Sequence, residues 1–188
     1  MIKVKIKTAE TKDELNEEYR LRYEYLYKEG ADPEYAIPEK KQYKDGFDSE
    51  KAKIIVAIEP LTNTIIGTIR LLFKTETNFP YEWCYDYKYI SDYLKNVKEQ
   101  IYHRCALLDR TCIHSGFRGQ GLYWAMVDHL ELLMKENNSD ILFSTWIASN
   151  YQLALSHVRK SNWVLPQKEY FNSKGKPYYF GFKILKPH

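Results

Sequence analysis

Leu108-Asp-Arg-Thr-Cys-Ile-His-Ser-Gly-Phe-Arg-Gly-Gln-Gly-Leu-Tyr123 reads as a short strand, an Arg-Gly-x-Gly turn and the opening of an apolar-striped helix. The first N–H groups of a helix have no partner further back, and the positive end of the helix dipole lies behind them. A turn made by Arg118, Gly119, Gln120 and Gly121 points those groups at one spot, which suits an anion such as a phosphate. Glycine at 119 and 121 lets a ligand approach the main chain, and Arg118 adds a charge-assisted donor. The stretch is not Gly-x-Gly-x-x-Gly, and no Gly-x-x-x-x-Gly-Lys-Ser/Thr occurs, so dinucleotide and nucleoside-triphosphate loops are disfavoured. A glycine-rich turn with no ligand is the alternative reading.

Working outward, the strand is expected over Cys105 to Ile113 and the helix from about Gln120 to Asn137, striped by Leu122, Met126, Leu130 and Leu133 and stopped at Asn137 and Asn138. Ile141 to Ala148 is a near-continuous apolar run, as in a strand covered on both faces. Ser149-x-x-Gln152 opens a helix to about Lys160, and Trp163 to Leu165 and Pro177 to Leu185 supply the last strands. Toward the N-terminus, Met-Ile-Lys-Val-Lys-Ile-Lys alternates as a first strand with Ile2, Val4 and Ile6 inward. Thr11-x-x-Glu14 is a capping box that starts a helix over about 13 to 28, with a stripe of Leu15, Tyr19, Tyr23, Leu26 and Tyr27. Gly30 to Asp48 is a long connection with room for a short helix, and Lys53 to Ile58 and Thr64 to Phe73 form a hairpin. Residues 75 to 103 are an aromatic-rich insertion in which Ser91 caps a helix through Gln100.

A chain of 188 residues with 44% hydrophobic residues is sized for one domain with a full core, spanning 1–188. Its net charge of +3 is spread rather than clustered, so nucleic-acid binding is not indicated. There is no signal-type apolar run and no stretch near the ~20 apolar residues of a membrane span, so a soluble protein is expected. Cys84, Cys105 and Cys112 are odd in number without metal spacing, which reads as reduced thiols in the cytoplasm. No metal site is expected: His103, His114, His129 and His157 lack ligand spacing. No Gly-x-Ser-x-Gly occurs and no cysteine sits in a nucleophile motif.

The loop resembles the acyl-donor loop of the Gcn5-related N-acetyltransferase (GNAT) superfamily, Arg/Gln-x-x-Gly-x-Gly/Ala, with Tyr123 at the last position. The element order is similar to that superfamily's too. The resemblance implies an α/β (α+β) fold: a mixed, mostly antiparallel central sheet of about seven strands flanked by helices. Leu21-Arg22-Tyr23, Asp45-x-x-Asp48, Gly67-Thr-Ile-Arg70-Leu-Leu, Asp109-Arg110 and the ending Glu169-Tyr170 with Gly175-Lys-Pro-Tyr are similar to a narrower branch. That branch holds autoinducer synthases, long-chain N-acyl amino acid synthases and exosortase-associated acyltransferases. Tyr43 and Leu107 stand where the branch has acidic residues, and Val158 where ordinary acetyltransferases carry a Tyr that protonates the leaving thiolate.

What this implies is an N-acyltransferase moving an acyl group from a pantetheine thioester to a small amine or amino acid. Nothing is bound permanently: acyl-coenzyme A or an acyl carrier protein is the co-substrate, with Tyr123 narrowing the pyrophosphate seat and so favouring the carrier. The insertion either lines an acyl tunnel or covers the core, and Lys88, Lys95, Lys98 and Arg104 are candidates to meet an acidic carrier. Donor-binding candidates are Thr111, Cys112 and Ile113 as oxyanion donors, Arg118 through Tyr123, including Gly119, Gln120, Gly121 and Leu122, and Asn150. Attack by a neutral amine needs a proton acceptor, and the candidates are Asp45, Asp48 and Asp109, with His157 or Tyr151 as substitutes for the missing Tyr. His157 reads equally as a helix-surface histidine. Arg22, Arg70 and Arg110 suit an acceptor carboxylate. Facing the aspartates, they also make a scaffold network whose carboxylates stay ionised. An ordinary acetyl-coenzyme A-dependent acetyltransferase and a non-catalytic module that binds an acyl-pantetheine or a partner are the other readings.

Overall fold

The computed structural model describes residues 3–28, 30–31, 33–48, 52–73, 104–147, 151–165, 169–171, 175 and 177–185. They fall into two compact units, one of Met1–Leu72 with Asp109–Leu133 and one of Phe73–Leu108 with Met134–His188. The aromatic segment, with its helix expected after Ser91, and Asn150 lie outside the described residues.

In the first unit the strand order is β1 (Lys5–Thr8), β4 (Ala52–Glu59), β5 (Thr64–Phe73), β6 (Cys105–Ile113), with β1/β4 and β4/β5 antiparallel. Helix α1 (Lys12–Arg22) starts at the expected capping box: Thr11 Oγ1 accepts the Glu14 N–H and the Glu14 carboxylate accepts the Thr11 N–H. The sequence predicts an α-helix to 28, but after Arg22 the chain widens into a π-helical turn, Tyr23–Tyr27, with the Tyr23 and Tyr27 rings 4.9 Å apart. The long connection carries two 3-10 turns around a hairpin of β2 (Ala36–Ile37) and β3 (Gln42–Tyr43). Alternate residues of β4, Ile54, Val56 and Ile58, pack with Leu21, Ile65 and Cys112 in one cluster, as the two-residue period of a strand requires. Most of α2 (Leu122–Glu136) belongs to this unit. It lies so close to Gly67 on β5 that a Cβ there would sit 3.2 Å from Met126 Cε.

In the second unit the order is β6, β7 (Ile141–Ile147), β9 (Pro177–Ile184), β8 (Glu169–Phe171). Only β6/β7 is parallel, and its pairing runs from Cys105 with Ile141 to Leu108 with Ser144. The sheet is therefore mixed and mostly antiparallel, with helices packed on it, as the element order implies. Helix α2 stops where expected: Asn138 takes φ +51°, and the N–H groups of Asn138 and Ser139 donate to the carbonyls of Lys135 (3.1 Å) and Met134 (2.9 Å), a Schellman ending. Trp163 to Leu165 is not a strand. Val164 alone bridges Phe182. Helix α3 spans Tyr151–Ser161. No helix among the described residues is long and apolar enough to cross a membrane.

Candidate active site

The structure gathers Arg22, Arg70, Arg110, Asp45, Asp48 and Asp109 into one ion-pair network, all within the first unit. Arg70, on β5, is its centre: Nε and Nη2 donate to Asp109 (2.8 and 2.6 Å), Nη1 and Nη2 donate to Asp45 (2.6 and 3.0 Å), and Nη1 lies 3.0 Å from Asp48 Oδ1. Arg110 Nη2 donates to Asp45 Oδ2 (2.6 Å) and Arg22 Nη1 to Asp48 Oδ1 (2.7 Å). The two aspartates sit in a tight turn, with the Asp45 N–H donating to Asp48 Oδ2 and the Asp48 N–H to the Asp45 carbonyl. Neighbouring strand residues normally point to opposite faces, yet Asp109 and Arg110 both enter the network. Arg110 makes this possible with φ +50°, a bulge-like break in the alternation of β6.

Three further groups complete the cluster. Glu18, one turn before Arg22 on α1, pairs with Arg22 Nε and accepts from the Thr68 hydroxyl at 2.9 Å. Tyr43, where the branch has an acidic residue, accepts from Arg110 Nη1 (3.1 Å) through its hydroxyl, and Tyr35 and Tyr43 set their rings 4.8 and 5.2 Å from the guanidinium. Arg22, Arg70 and Glu18 are fully buried, whereas the Asp109 and Arg110 side chains keep 18% and 19% exposure, so these two are the network's face toward solvent.

Burial alone would raise the Asp45 carboxyl, but hydrogen bonds from Arg70 and the charges of Arg70 and Arg110 outweigh it and hold the group far below the usual carboxylate range. Asp48 is likewise lowered, burial being overcome by Arg22 and Arg70. Both are therefore ionised and poor proton acceptors at neutral pH, so the arginine environment opposes the base role expected of them. Glu18 behaves oppositely: burial pushes it up to about 7 against the opposing charge of Arg22. With Glu18 protonated, three guanidinium groups face three carboxylates.

At the end of β6 the His114 N–H donates to the Ile66 carbonyl (2.8 Å), and a 3-10 turn, Ser115–Phe117, leads to the glycines. Gly119 and Gly121 have φ +74° and +82°, a left-handed backbone that favours glycine. A Cβ on either would meet nothing within 4 Å, so the turn is open to a ligand. Helix α2 begins at Leu122, two residues later than expected, and none of the described residues accepts from the main-chain N–H groups of residues 119–122. Arg118 Nε donates to the Ile113 carbonyl (3.0 Å), and the Gln120 side chain closes the turn on the Gly116 carbonyl (3.0 Å). Leu122 and Cys112 bury their side chains, so only their backbone groups can serve a donor. The Tyr123 hydroxyl is buried, and burial raises the phenol. Its bulk is thus directed into the protein, which weakens the expectation that it narrows the pyrophosphate seat.

A family model for the acetyltransferase (GNAT) domain matches residues 21–127, which takes in both the network and the loop. The chain belongs to the GNAT family. Among solved structures, a CoA-dependent acyl-homoserine lactone synthase, BjaI, with SAM and isopentyl-CoA superposes with TM-score 0.72 at 12% identity, over 98% of this chain and 84% of that one. FeeM, an N-acyl amino acid synthase from uncultured soil microbes, gives 0.70 at 11%, over 97% and 91%. A GNAT-family acetyltransferase from Staphylococcus aureus gives 0.62 at 13%, over 98% and 100%. No curated protein matches the sequence significantly.

The GNAT second unit holds the remaining candidates. His157 is not a surface histidine: it is fully buried, with its ring 4.8 Å from Trp146 and 5.0 Å from Trp163. Burial, with the charge of Lys183 behind it, lowers it to about 4, so it is neutral at pH 7. Tyr151 opens α3. No group of three or more His, Cys, Asp or Glu among the described residues is placed to hold a metal ion. Sequence reasoning missed Glu18, Thr68 and Tyr35, and read Tyr43 only as a departure. The i, i+4 spacing of Glu18 and Arg22 was the available signal, although such pairs are ordinarily solvent-exposed.

Proposed function

We propose that the protein is an N-acyltransferase that takes an acyl group from a pantetheine thioester and passes it to the amine of a small molecule, an amino acid by preference. The observation that carries this reading is the open left-handed turn at Gly119 and Gly121, in the same unit as a buried Arg–Asp network that reaches solvent through Asp109 and Arg110. The main-chain N–H groups of 119–122, which have no acceptor among the described residues, would hold the pantetheine phosphate with Arg118. Main-chain N–H groups around Thr111 to Ile113 would stabilise the oxyanion that forms when the amine attacks the thioester carbon. Collapse of that intermediate expels the thiolate and leaves an amide.

For the acceptor, Arg110 is the natural partner of a carboxylate: its side chain keeps 19% exposure, and guanidinium binds carboxylates by matched donors. Asp109 beside it would receive the ammonium and accept its proton, directly or through water, while Asp45 and Asp48 fix the arginines. Coenzyme A as the donor, and with it an ordinary acetyltransferase, is favoured over a carrier-only enzyme by the inward-directed Tyr123. Thiol release from acetyl-, medium- and long-chain acyl-coenzyme A and an acyl carrier protein, each with a pool of amino acids and amines, tests the proposal. Acceptor-dependent release from one donor class is expected. Binding of the donors without release under any acceptor would turn the reading to a non-catalytic acyl-pantetheine module.

A further inference from the structure

Tyr25 belongs to neither the donor nor the acceptor residues considered so far, yet it touches the donor loop from 90 positions away in sequence. Its hydroxyl accepts the main-chain N–H of Ser115 at 3.2 Å. Its ring lies 5.3 Å from the Arg118 guanidinium carbon and meets His114 edge-on at 5.7 Å. His114 in turn accepts the Gly116 N–H on Nδ1 (3.2 Å) and contacts Phe117 at 5.7 Å. The segment from His114 to Arg118, which is otherwise at the surface, is thus organised around one tyrosine ring. That ring sits in the π-helical turn Tyr23–Tyr27, and single π turns inside helices recur at functional sites.

We propose that Tyr25 is a positioning residue for the thioester donor: it fixes the Ser115–Arg118 turn and holds the Arg118 guanidinium beside the glycine seat, so that the phosphate meets a pre-set cation. This deepens the donor reading of residues 118–122 and rests on it. An exposed arginine otherwise surrenders much rotamer freedom when it captures a phosphate, and holding it in advance removes part of that loss. The π–cation contact and the Ser115 hydrogen bond are each modest. Losing both is expected to weaken donor binding by about fivefold to thirtyfold.

The test is calorimetric titration of the full chain with coenzyme A, for wild type, Tyr25→Phe, Tyr25→Leu, Arg118→Ala and the Tyr25→Leu/Arg118→Ala pair. Tyr25→Phe keeps the ring and loses only the Ser115 bond, so a loss of about threefold is expected. Tyr25→Leu should show the larger loss, and its excess over Tyr25→Phe should vanish in the Arg118→Ala background, leaving only the loss of about threefold from the Ser115 bond, because a coupling between two side chains cannot be lost twice. In turnover, the donor KM should rise while the acceptor KM holds. Binding by Tyr25→Phe and Tyr25→Leu equal to wild type, or additive losses in the double variant, overturns the inference. Should Tyr25→Leu fail to fold, Ser115→Pro deletes the same hydrogen bond from the other side and must reproduce the Tyr25→Phe loss. A wild-type chain that binds neither coenzyme A nor an acyl-coenzyme A refutes the donor reading itself.

Discussion

Replacing Asp45 by asparagine is the most direct probe of whether the ion network holds the proposed acceptor side of the GNAT domain together. The carboxylate is 3% exposed and accepts two bonds from Arg70 (2.6 and 3.0 Å), one from Arg110 (2.6 Å) and the Phe47 N–H (2.9 Å). Asparagine keeps the shape and one oxygen, which can still serve Phe47 and Arg70 Nη1. Its amide nitrogen then takes the Oδ2 place and sets a donor against the Nη2 groups of both arginines. Breaking a buried pair while leaving the partner charged costs roughly 3–5 kcal/mol. Arg70 keeps Asp109 and Asp48 and Arg110 keeps Tyr43, so the lower end, about 3 kcal/mol, is expected. Urea unfolding at pH 7, followed by circular dichroism with an unchanged m value, measures it. The folded pKa of Asp45 is depressed, so its contribution is present above the ordinary aspartate range and is lost as pH falls through the folded value. The variant should therefore resist acid relatively better than it resists urea at neutrality. A loss below about 1 kcal/mol at pH 7 would show that Coulomb gain merely offsets desolvation here, and that the connection is held on α1 by something other than these charges.

Glu18→Gln keeps an acceptor for Thr68 and Arg22 but does not titrate. Because the folded pKa of Glu18 is raised to about 7, the stability of the wild type relative to the variant should fall, by at most about 3 kcal/mol, as pH rises from 5 to 8, the opposite contribution of buried His157 being common to both; a difference that stays constant with pH would contradict the raised value. Gly181→Ala places a methyl 2.7 Å from Trp146 Cζ3 and 2.8 Å from Leu165 Cδ2, so a loss of about 1–3 kcal/mol from overpacking is expected in thermal unfolding. Gly121→Ala has space for its Cβ but the wrong φ, which predicts about 1–2 kcal/mol of destabilisation together with weaker coenzyme A binding; unchanged affinity would remove the turn from the donor site. With Asp45 and Asp48 ionised throughout, the pH profile of acceptor kcat/KM should follow the acceptor amine and move when an amine of different pKa is used; an inflection that stays fixed across acceptors would point to an enzyme base.

The strand, turn and helix from Cys105 to Glu136 were legible because each signal is local: a buried strand run, glycines at φ-demanding positions, an apolar stripe and an asparagine stop. The hairpin of Ala36–Ile37 with Gln42–Tyr43 was not, since two-residue strands are too short to show a period. The Arg and Asp positions were visible in the sequence, but base or ion pair is decided by burial and by which charges are brought near, and neither is written locally. Glu18 was missed for the same reason. Its spacing to Arg22 is that of a solvent pair, and only the fold puts both side chains at 0% exposure. Of the two readings of His157, the surface one fails: a polar residue on a helix is ordinarily outside, whereas this one is buried against Trp146 and Trp163. The left-handed φ of Arg110 follows from no sequence rule: its guanidinium is tied to Asp45 and Tyr43 and lies against the Tyr35 and Tyr43 rings, partners that only the fold brings near.

Glu18, Arg22 and Tyr25 are spaced by four and three residues, which places them along one face of the helix and its π turn. The first two enter the ion network and the third contacts the donor loop, so one continuous helical element carries contacts to both substrate sites proposed for the enzyme. Buried ion pairs are poor sources of net stability compared with apolar packing of the same volume, and the network's geometry argues for another use. Each guanidinium is bonded by two or more groups, leaving little freedom to Arg110, the one arginine that reaches solvent. Orientation of a bound carboxylate by a fixed guanidinium is worth more to an amine's attack than added affinity, because it sets the reacting nitrogen's position before the transition state is reached. Under the proposed function the aspartates that look like bases in the sequence would be the frame that aims an arginine, and Asp109, bonded to Arg70 but partly open to solvent, would be the carboxylate that meets the amine.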